Sequence, residues 1–305
     1  MKIMISFPNA FVENRSLKVW FALPHHRVGY YRATRFDWSG VIYKLLYDGC
    51  SFFSPWRVRH NPLRHDAISG PVNEFGVVGY EKAAIGDSFL KIGVGTLLKN
   101  SYQDYNAFSY YTISNPGFWR VKIDENVVSF IHRLKTRIGY SYTYTKRFTL
   151  HPDRPEMTVD HNLRNEGNTS INTYVYNHNF LRIDKEKTGP ETVVNFPFNV
   201  EEASAGNCEH IAFRRNSLSF TRPLEKNECV YLPEVAGITG SSENHAFCLE
   251  NKKVRACVHV SGNRPLIRLA FWACATTCCL EPYIQIAVEG GKCFSWRNSY
   301  KFSTY

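Results

Sequence analysis

The stretch TYVYNHNFLRID, residues 173–184, decides how this chain is read. Tyr174, Val175, Tyr176, Phe180, Leu181 and Ile183 are aromatic or branched, as strands prefer. Its middle is Asn177-His178-Asn179, three polar side chains in a row. Polar groups inside a core strand cost free energy unless each finds a partner. Either the strand ends there, or the polar groups are presented to something.

Working outward, the neighbouring sequence alternates with period two, the pattern of half-buried strands. SYTYTKRFTL (141–150) leads through the turn HPDRPE to MTVDHNLRN (157–165), and NEGNTS leads on to SINTYVYNHNF (170–180). Near the C-terminus PYIQIAV (282–288), EGGK and CFSWRNSYKF (293–302) read as a closing hairpin. Turn signals recur at short intervals, and no linker or low-complexity segment intervenes. The pattern predicts one all-β domain over residues 1–305, built from many antiparallel strands. ENVVSFIHRLKTRIGY (125–140) stays ambiguous. Val127, Ile131, Leu134 and Ile138 have helical spacing, while Val128, Phe130, His132 and Leu134 alternate; the neighbouring strands favour strand.

With 305 residues and 44% hydrophobic content, the chain can bury a sizeable core without disulfides. Aromatic residues reach 15%, which suits β-structure and surfaces that stack on ligands. The net charge is +10. The basic residues are scattered, and the densest groups, in FRRNS and ENKKVRACVHV, are short. No nucleic-acid motif accompanies them, so no nucleic-acid partner is expected. The nine cysteines include no CxxC pair and no standard zinc spacing, so no metal site is expected. Several lie in apolar runs such as LAFWACATTCCL, where a free thiol behaves as a small hydrophobe, and a reduced, cytoplasmic setting follows. The N-terminal MKIMISFPNAFVENRS is broken early by Pro8 and is too short an apolar run for a signal peptide. No run approaches the ~20 apolar residues of a membrane span, so no membrane partner is expected. GVVGYEKAAIG and IGVGTL contain glycines but lack the strand–loop–helix context of a phosphate or dinucleotide loop, and no cofactor is expected.

Four polar constellations remain. His178 suits proton transfer near neutrality, its unperturbed pKa being about 6.5. Its bland alternative is a half-buried histidine with satisfied nitrogens. Glu281 interrupts the apolar CCLEPYIQIAV (278–288), where burial raises a carboxyl pKa and Pro282 removes a ladder donor. It is also readable as a loop residue between strands. RHDAISGPVNEFG (64–76) gathers Arg64, His65, Asp66, Asn73 and Glu74 around Gly70-Pro71, either a solvated turn or a sugar-binding rim. GYYRATRFDWSG (29–40) interleaves Arg32, Arg35 and Asp37 with rings, which fits a carbohydrate surface or a structural corner with an Arg–Asp pair.

Taken in order, GYYRATRFDWSG, HDAISGPVNEFG, GYEKAAIGDSFLKIGVGTL, YTKRFTLHPDRPEMTVDHNLRNEGNTSINTYVYNHNFLRID and LEPYIQIAVEGGKCFSW resemble the galactose mutarotase-like (aldose 1-epimerase-like) superfamily, in a poorly characterised bacterial branch, over nearly the whole chain. The resemblance implies a β-supersandwich of large antiparallel sheets with a cleft on one sheet. It implies an isomerase of sugar anomers in which a glutamate, Glu281 here, takes the anomeric hydroxyl proton and a histidine, His178 here, protonates the ring oxygen. The partner implied is a monosaccharide or sugar derivative. The Asn-His-Gly-Gly loop that carries a second histidine in the best-known members has no match; GPVNEFG stands in its place, with His65 or Glu74 as substitute and Asn73 where an acid is expected. Arg35, His65, Asp66, Glu74, Lys91 and Asp184 are the expected substrate-binding residues, Lys91 and Asp184 on chain order alone. The alternatives are a non-catalytic sugar-binding protein on the same fold, or a polysaccharide lyase or glycosidase using Glu74 and Glu281 as paired carboxylates.

Overall fold

The computed structural model describes residues 7–57, 59–200 and 208–305. The first six residues, part of the stretch weighed as a leader, lie outside them. Among the described residues the only helix is a single 3-10 turn, Ser242–Asn244, and every strand pair is antiparallel.

Two sheets dominate. The larger has ten strands, in the spatial order Ile211–Arg214, Ser217–Phe220, Thr192–Asn195, Ala246–Asn251, Ala256–Gly262, Cys293–Thr304, Glu156–Asn165, Tyr142–Leu150, Val127–Leu134 and Phe118–Asp124. The smaller has five, in the order Cys229–Leu232, Arg268–Cys274, Thr277–Val288, Ile171–His178 and Val72–Phe75. Their inner faces meet in one apolar cluster that takes Val175, Ile284 and Phe271 from the five-stranded sheet and Phe130, Tyr144 and Phe302 from the ten-stranded sheet. Phe75 of the smaller sheet packs edge-on against Tyr144 of the larger, ring centroids 5.3 Å apart. A four-stranded sheet (Asn9–Glu13, Leu17–Ala22, Val41–Tyr47, Cys50–Ser51) joins this core through Phe21, which packs on Phe148. A three-stranded sheet (Ser88–Lys91, Gly95–Leu98, Ile113–Asn115) and the corner 29–40 form a second cluster, Phe36, Trp38, Phe89 and Phe180 among its members.

The ambiguous segment is the strand Val127–Leu134, with alternating burial. Pairing on both flanks, with Phe118–Asp124 and with Tyr142–Leu150, overrides its helical spacing, and Ile138 lies beyond the strand and exposed. The closing hairpin expected from sequence does not form. Thr277–Val288 lies in the five-stranded sheet and Cys293–Thr304 in the ten-stranded sheet, so EGGK carries the chain between layers. The turn NEGNTS makes the same step from Glu156–Asn165 to Ile171–His178. The two crossings lie side by side, tied by fully buried Asn165. Its side-chain amide donates to Thr169 O and Val288 O, each at 2.9 Å, and its backbone bonds Gly291 and Lys292. Turn chemistry alone does not tell a hairpin from a layer change; burial of both strands in different sheets decides it.

Candidate active site

Ile171–His178 ends at His178, and its alternation sends the polar run both ways. Asn177 and the following Asn179 face the core, where Asn177 Nδ2 donates to Tyr300 Oη (2.9 Å), Tyr300 Oη donates to Asn179 Oδ1 (2.8 Å), and Asn179 Nδ2 donates to Leu280 O (2.8 Å). This chain of bonds pins the strand end to its neighbour and to the ten-stranded sheet. Tyr174, Tyr176 and His178 face the other way, on the side of the five-stranded sheet turned from that core.

Register builds this face in two rows. In the first, Glu74 stands opposite Tyr176, Tyr176 opposite Tyr283, and Tyr283 opposite Arg268. In the second, Val72 stands opposite His178 and Glu281 opposite Ala270. Pro282, without an N–H, ends the ladder between Ile171–His178 and Thr277–Val288 at Tyr176–Tyr283. Two residues further along the same register His178 meets Glu281, with Nε2 3.3 Å from Oε1.

The pair is almost sealed from solvent, His178 being 3% and Glu281 5% exposed. The His178 ring stacks on Phe180 at 3.9 Å and meets the edge of Phe36 at 5.3 Å. Burial, helped by the positive charge of Arg35, holds the imidazole neutral, well below its ordinary range. Burial pushes Glu281 up to about 7, against the pull of Arg35. Tyr283 Oη donates to Glu281 Oε2 at 3.4 Å. His178 Nδ1 is buried and has no hydrogen-bond partner among the described residues.

Beside the pair, Arg35 Nε donates to Glu74 Oε2 at 2.6 Å and its Nη2 to Tyr176 Oη at 3.0 Å, while Tyr176 also donates to Glu74. Lys91 lies 3.8 Å from Glu74 Oε1 and donates to Phe75 O. Burial raises the Glu74 carboxyl, but Arg35, Lys91 and Tyr176 outweigh it and hold Glu74 ionised. Lys91 itself is pushed down to about 8, because burial outweighs attraction to Glu74. The corner 29–40 delivers Arg35 by two backbone ties, Asp37 N–H to Asn73 O (2.9 Å) and Trp38 N–H to Gly93 O (3.1 Å). That corner holds no Arg–Asp pair: Asp37 turns away and meets Lys146 at 3.5 Å, while Arg35 takes Glu74.

Of the residues expected from sequence, His178, Glu281, Arg35, Glu74 and Lys91 come together. His65 sits at the rim, its ring 5.1 Å from Phe108, which in turn lies over the Arg35 guanidinium at 4.8 Å. Asp66 is buried but engaged elsewhere, by Arg57 (2.7 Å) and Arg64 (3.6 Å). These two arginines line a neighbouring cavity of about 1110 Å³ with Trp56, Arg182 and Lys187. Asp184 is exposed on a turn whose amide bonds Ser51 O, and among the described residues no hydrogen bond or ion pair ties its side chain to the cluster. Tyr176, Tyr283 and Arg268 join this cluster without being among the residues expected from sequence. Tyr176 and Tyr283 each stand two residues from a candidate, on the same strand face, so alternation could have found them. Arg268, its guanidinium 3.8 Å from the Tyr283 ring centre, has no such local signal.

No protein-family model and no curated protein matches this chain. Solved structures do. A galactose mutarotase-like protein from Clostridium acetobutylicum is 9% identical with a TM-score of 0.56, over 100% of this chain and 98% of that one. A galactose mutarotase-like protein from Lactobacillus casei gives 11% and 0.55, over 97% and 100%. A galactose mutarotase related enzyme from Lactobacillus acidophilus gives 12% and 0.54, over 97% and 98%. Such identities speak for architecture and not for chemistry. These likenesses, over nearly the whole of each chain, show that the chain has the galactose mutarotase-like fold.

Proposed function

We propose that this protein is an aldose 1-epimerase-like isomerase that interconverts the anomers of a free sugar. The observation that carries this reading is the 3.3 Å contact of His178 Nε2 with Glu281 Oε1, both side chains buried, with no partner for His178 Nδ1 among the described residues.

The pair holds one transferable proton near neutrality. With the proton on His178, the Glu281 carboxylate takes a proton from the anomeric hydroxyl while the imidazolium gives its own to the ring oxygen. The C1–O5 bond breaks and the open-chain aldehyde forms. The pair is left as carboxylic acid and neutral imidazole, the form that burial favours here. Rotation about C1–C2 presents the other carbonyl face. Closure then reverses both transfers and restores the starting form, so no net proton enters or leaves. Arg35, held by Glu74 and Tyr176, and the rings of Tyr176 and Tyr283 are suited to bind hydroxyls and the sugar face. The core cluster runs from Ala10 to Phe302, and we take the site to serve one domain. The free buried thiols Cys257, Cys274, Cys278 and Cys279 suit a reducing cytoplasm.

The test is anomer interconversion by polarimetry or proton NMR on freshly dissolved α-anomers of galactose, glucose, rhamnose, galacturonate and glucose 6-phosphate. Acceleration over the spontaneous rate that is lost in Glu281→Gln and His178→Asn supports the reading and names the sugar. Binding of a sugar without acceleration overturns it in favour of a non-catalytic carbohydrate-binding protein.

A further inference from the structure

On the far side of the molecule, the outer face of the ten-stranded sheet carries a second cluster that the anomer chemistry does not use. Ala246–Asn251 and Ala256–Gly262 pair with Cys248 opposite His259 and Glu250 opposite Cys257. Phe247, Leu249, Val258 and Val260 fill the core, so Cys248, Cys257 and His259 share the opposite face. Their sulfur and nitrogen atoms all lie within 4.8 Å of one another. Cys248 Sγ is 3.6 Å from His259 Nε2, and Cys257 Sγ is 3.8 Å from the same nitrogen.

These separations can be compared with a metal's coordination polyhedron. With zinc–sulfur bonds of about 2.3 Å and zinc–nitrogen bonds of about 2.0–2.1 Å, a tetrahedral site has a sulfur-to-nitrogen edge of about 3.6 Å. Both observed separations lie close to that edge. A disulfide fits less well. Cys248 and Cys257 are diagonal neighbours across the two strands, a relation that sets Cα atoms roughly 7–8 Å apart. Two cysteines more than about 7 Å apart at Cα cannot be joined without moving the backbone. The thiols are thus placed to share an ion and poorly placed to bond to each other.

We propose that Cys248, Cys257 and His259 form a zinc-binding site with three protein ligands and an open fourth position facing solvent. Two thiolates and an imidazole select a thiophilic cation such as Zn²⁺ over Mg²⁺ or Ca²⁺, which take oxygen donors. Ser303 Oγ, 2.9 Å from Cys257 Sγ, extends the cluster onto a third strand, Cys293–Thr304. Lys301 stands opposite His259 and opposes cation binding, while Glu250 on the Cys248 strand offsets it. The ligands form no motif along the chain because strand register brings them together, which is why cysteine spacing led to the expectation of no metal site. The site stands independently of the anomer reading.

The test uses the reduced, metal-stripped full chain titrated with Co²⁺ and then with Zn²⁺. The expected result is one equivalent of Co²⁺ with thiolate-to-cobalt charge-transfer bands and tetrahedral visible bands, displaced by one equivalent of Zn²⁺. Cys248→Ser, Cys257→Ser and His259→Asn should each weaken binding by about 100-fold or more, since loss of mere supporting contacts already costs 10–100-fold. Cys293→Ser, on an exposed thiol outside the cluster, should bind as the parent does. Absence of these bands at one equivalent overturns the proposal. So does their persistence in both Cys257→Ser and His259→Asn, with folding verified by circular dichroism, because the ion would then sit on other thiols.

Discussion

His132 and His178 are both buried, both stacked on an aromatic ring and both on strands, and they differ in what their nitrogens meet. His132 lies flat on Trp119 at 4.1 Å, with Nε2 bonded to Pro116 O and Nδ1 to Tyr142 Oη, each at 2.9 Å. Both nitrogens are consumed, and burial pushes the imidazole down to about 4. His178 lies on Phe180, but one nitrogen meets a carboxyl group and the other has no hydrogen-bond partner among the described residues. Burial alone therefore does not mark a candidate catalytic histidine. A carboxyl partner whose own titration has moved towards neutrality, with an unbonded nitrogen beside it, does.

The comparison breaks most sharply on activity. His178→Asn and Glu281→Gln should each slow anomer interconversion by about 10²–10⁴-fold, the usual worth of a positioned acid or base. His132→Asn should leave the rate within a few-fold once the protein is folded. Equal losses in the His132 and His178 variants, measured by polarimetry on folded protein, would end the distinction.

The next effect is on pH. Because the Glu281 carboxyl is raised from 4.5 to about 7, the folded state holds a proton that the unfolded chain has released. Its contribution is present below 4.5 and is lost as pH rises to about 7, a swing of about 3 kcal/mol at 1.36 kcal/mol per unit. His132 runs the other way, lowered from 6.5 to about 4. Its contribution is present above 6.5 and is lost as pH falls to about 4. Urea titrations across pH should show Glu281→Gln flattening the limb between 4.5 and 7 and His132→Asn flattening the limb between 4 and 6.5. The rate should also fall above about pH 7, where the pair loses its proton; a rate that keeps rising there would contradict the one-proton scheme.

At pH 7 His132→Asn should cost about 1–3 kcal/mol, since at least one buried partner is left unsatisfied. Tyr300→Phe, which cuts the bonds to Asn177 and Asn179, should cost about 1–2 kcal/mol. A rate change larger than the stability loss would mean that the asparagines also position His178. The smallest effect sharpens access. Phe108 is 60% exposed over Arg35, and Phe108→Ala should change KM more than kcat.

Much was legible in the chain itself. Period-two alternation and frequent turns determined an antiparallel all-β fold, because side chains must alternate between core and solvent on a pleated strand. The interruption at Asn177-His178-Asn179 and the carboxyl group within CCLEPYIQIAV marked a candidate site, because unpaired polar groups are costly in apolar strands. Only the tertiary structure decided that EGGK and NEGNTS change layers, that Val127–Leu134 is strand, that Asp66 serves Arg57 and Asp184 a turn, and that His178 meets Glu281. It likewise brought Cys248 beside Cys257 and His259. The physical reason is common to all of these. Alternation dictates which face a side chain takes, a local property, whereas strand order and register dictate what it meets there, and both are settled by burial across the whole core.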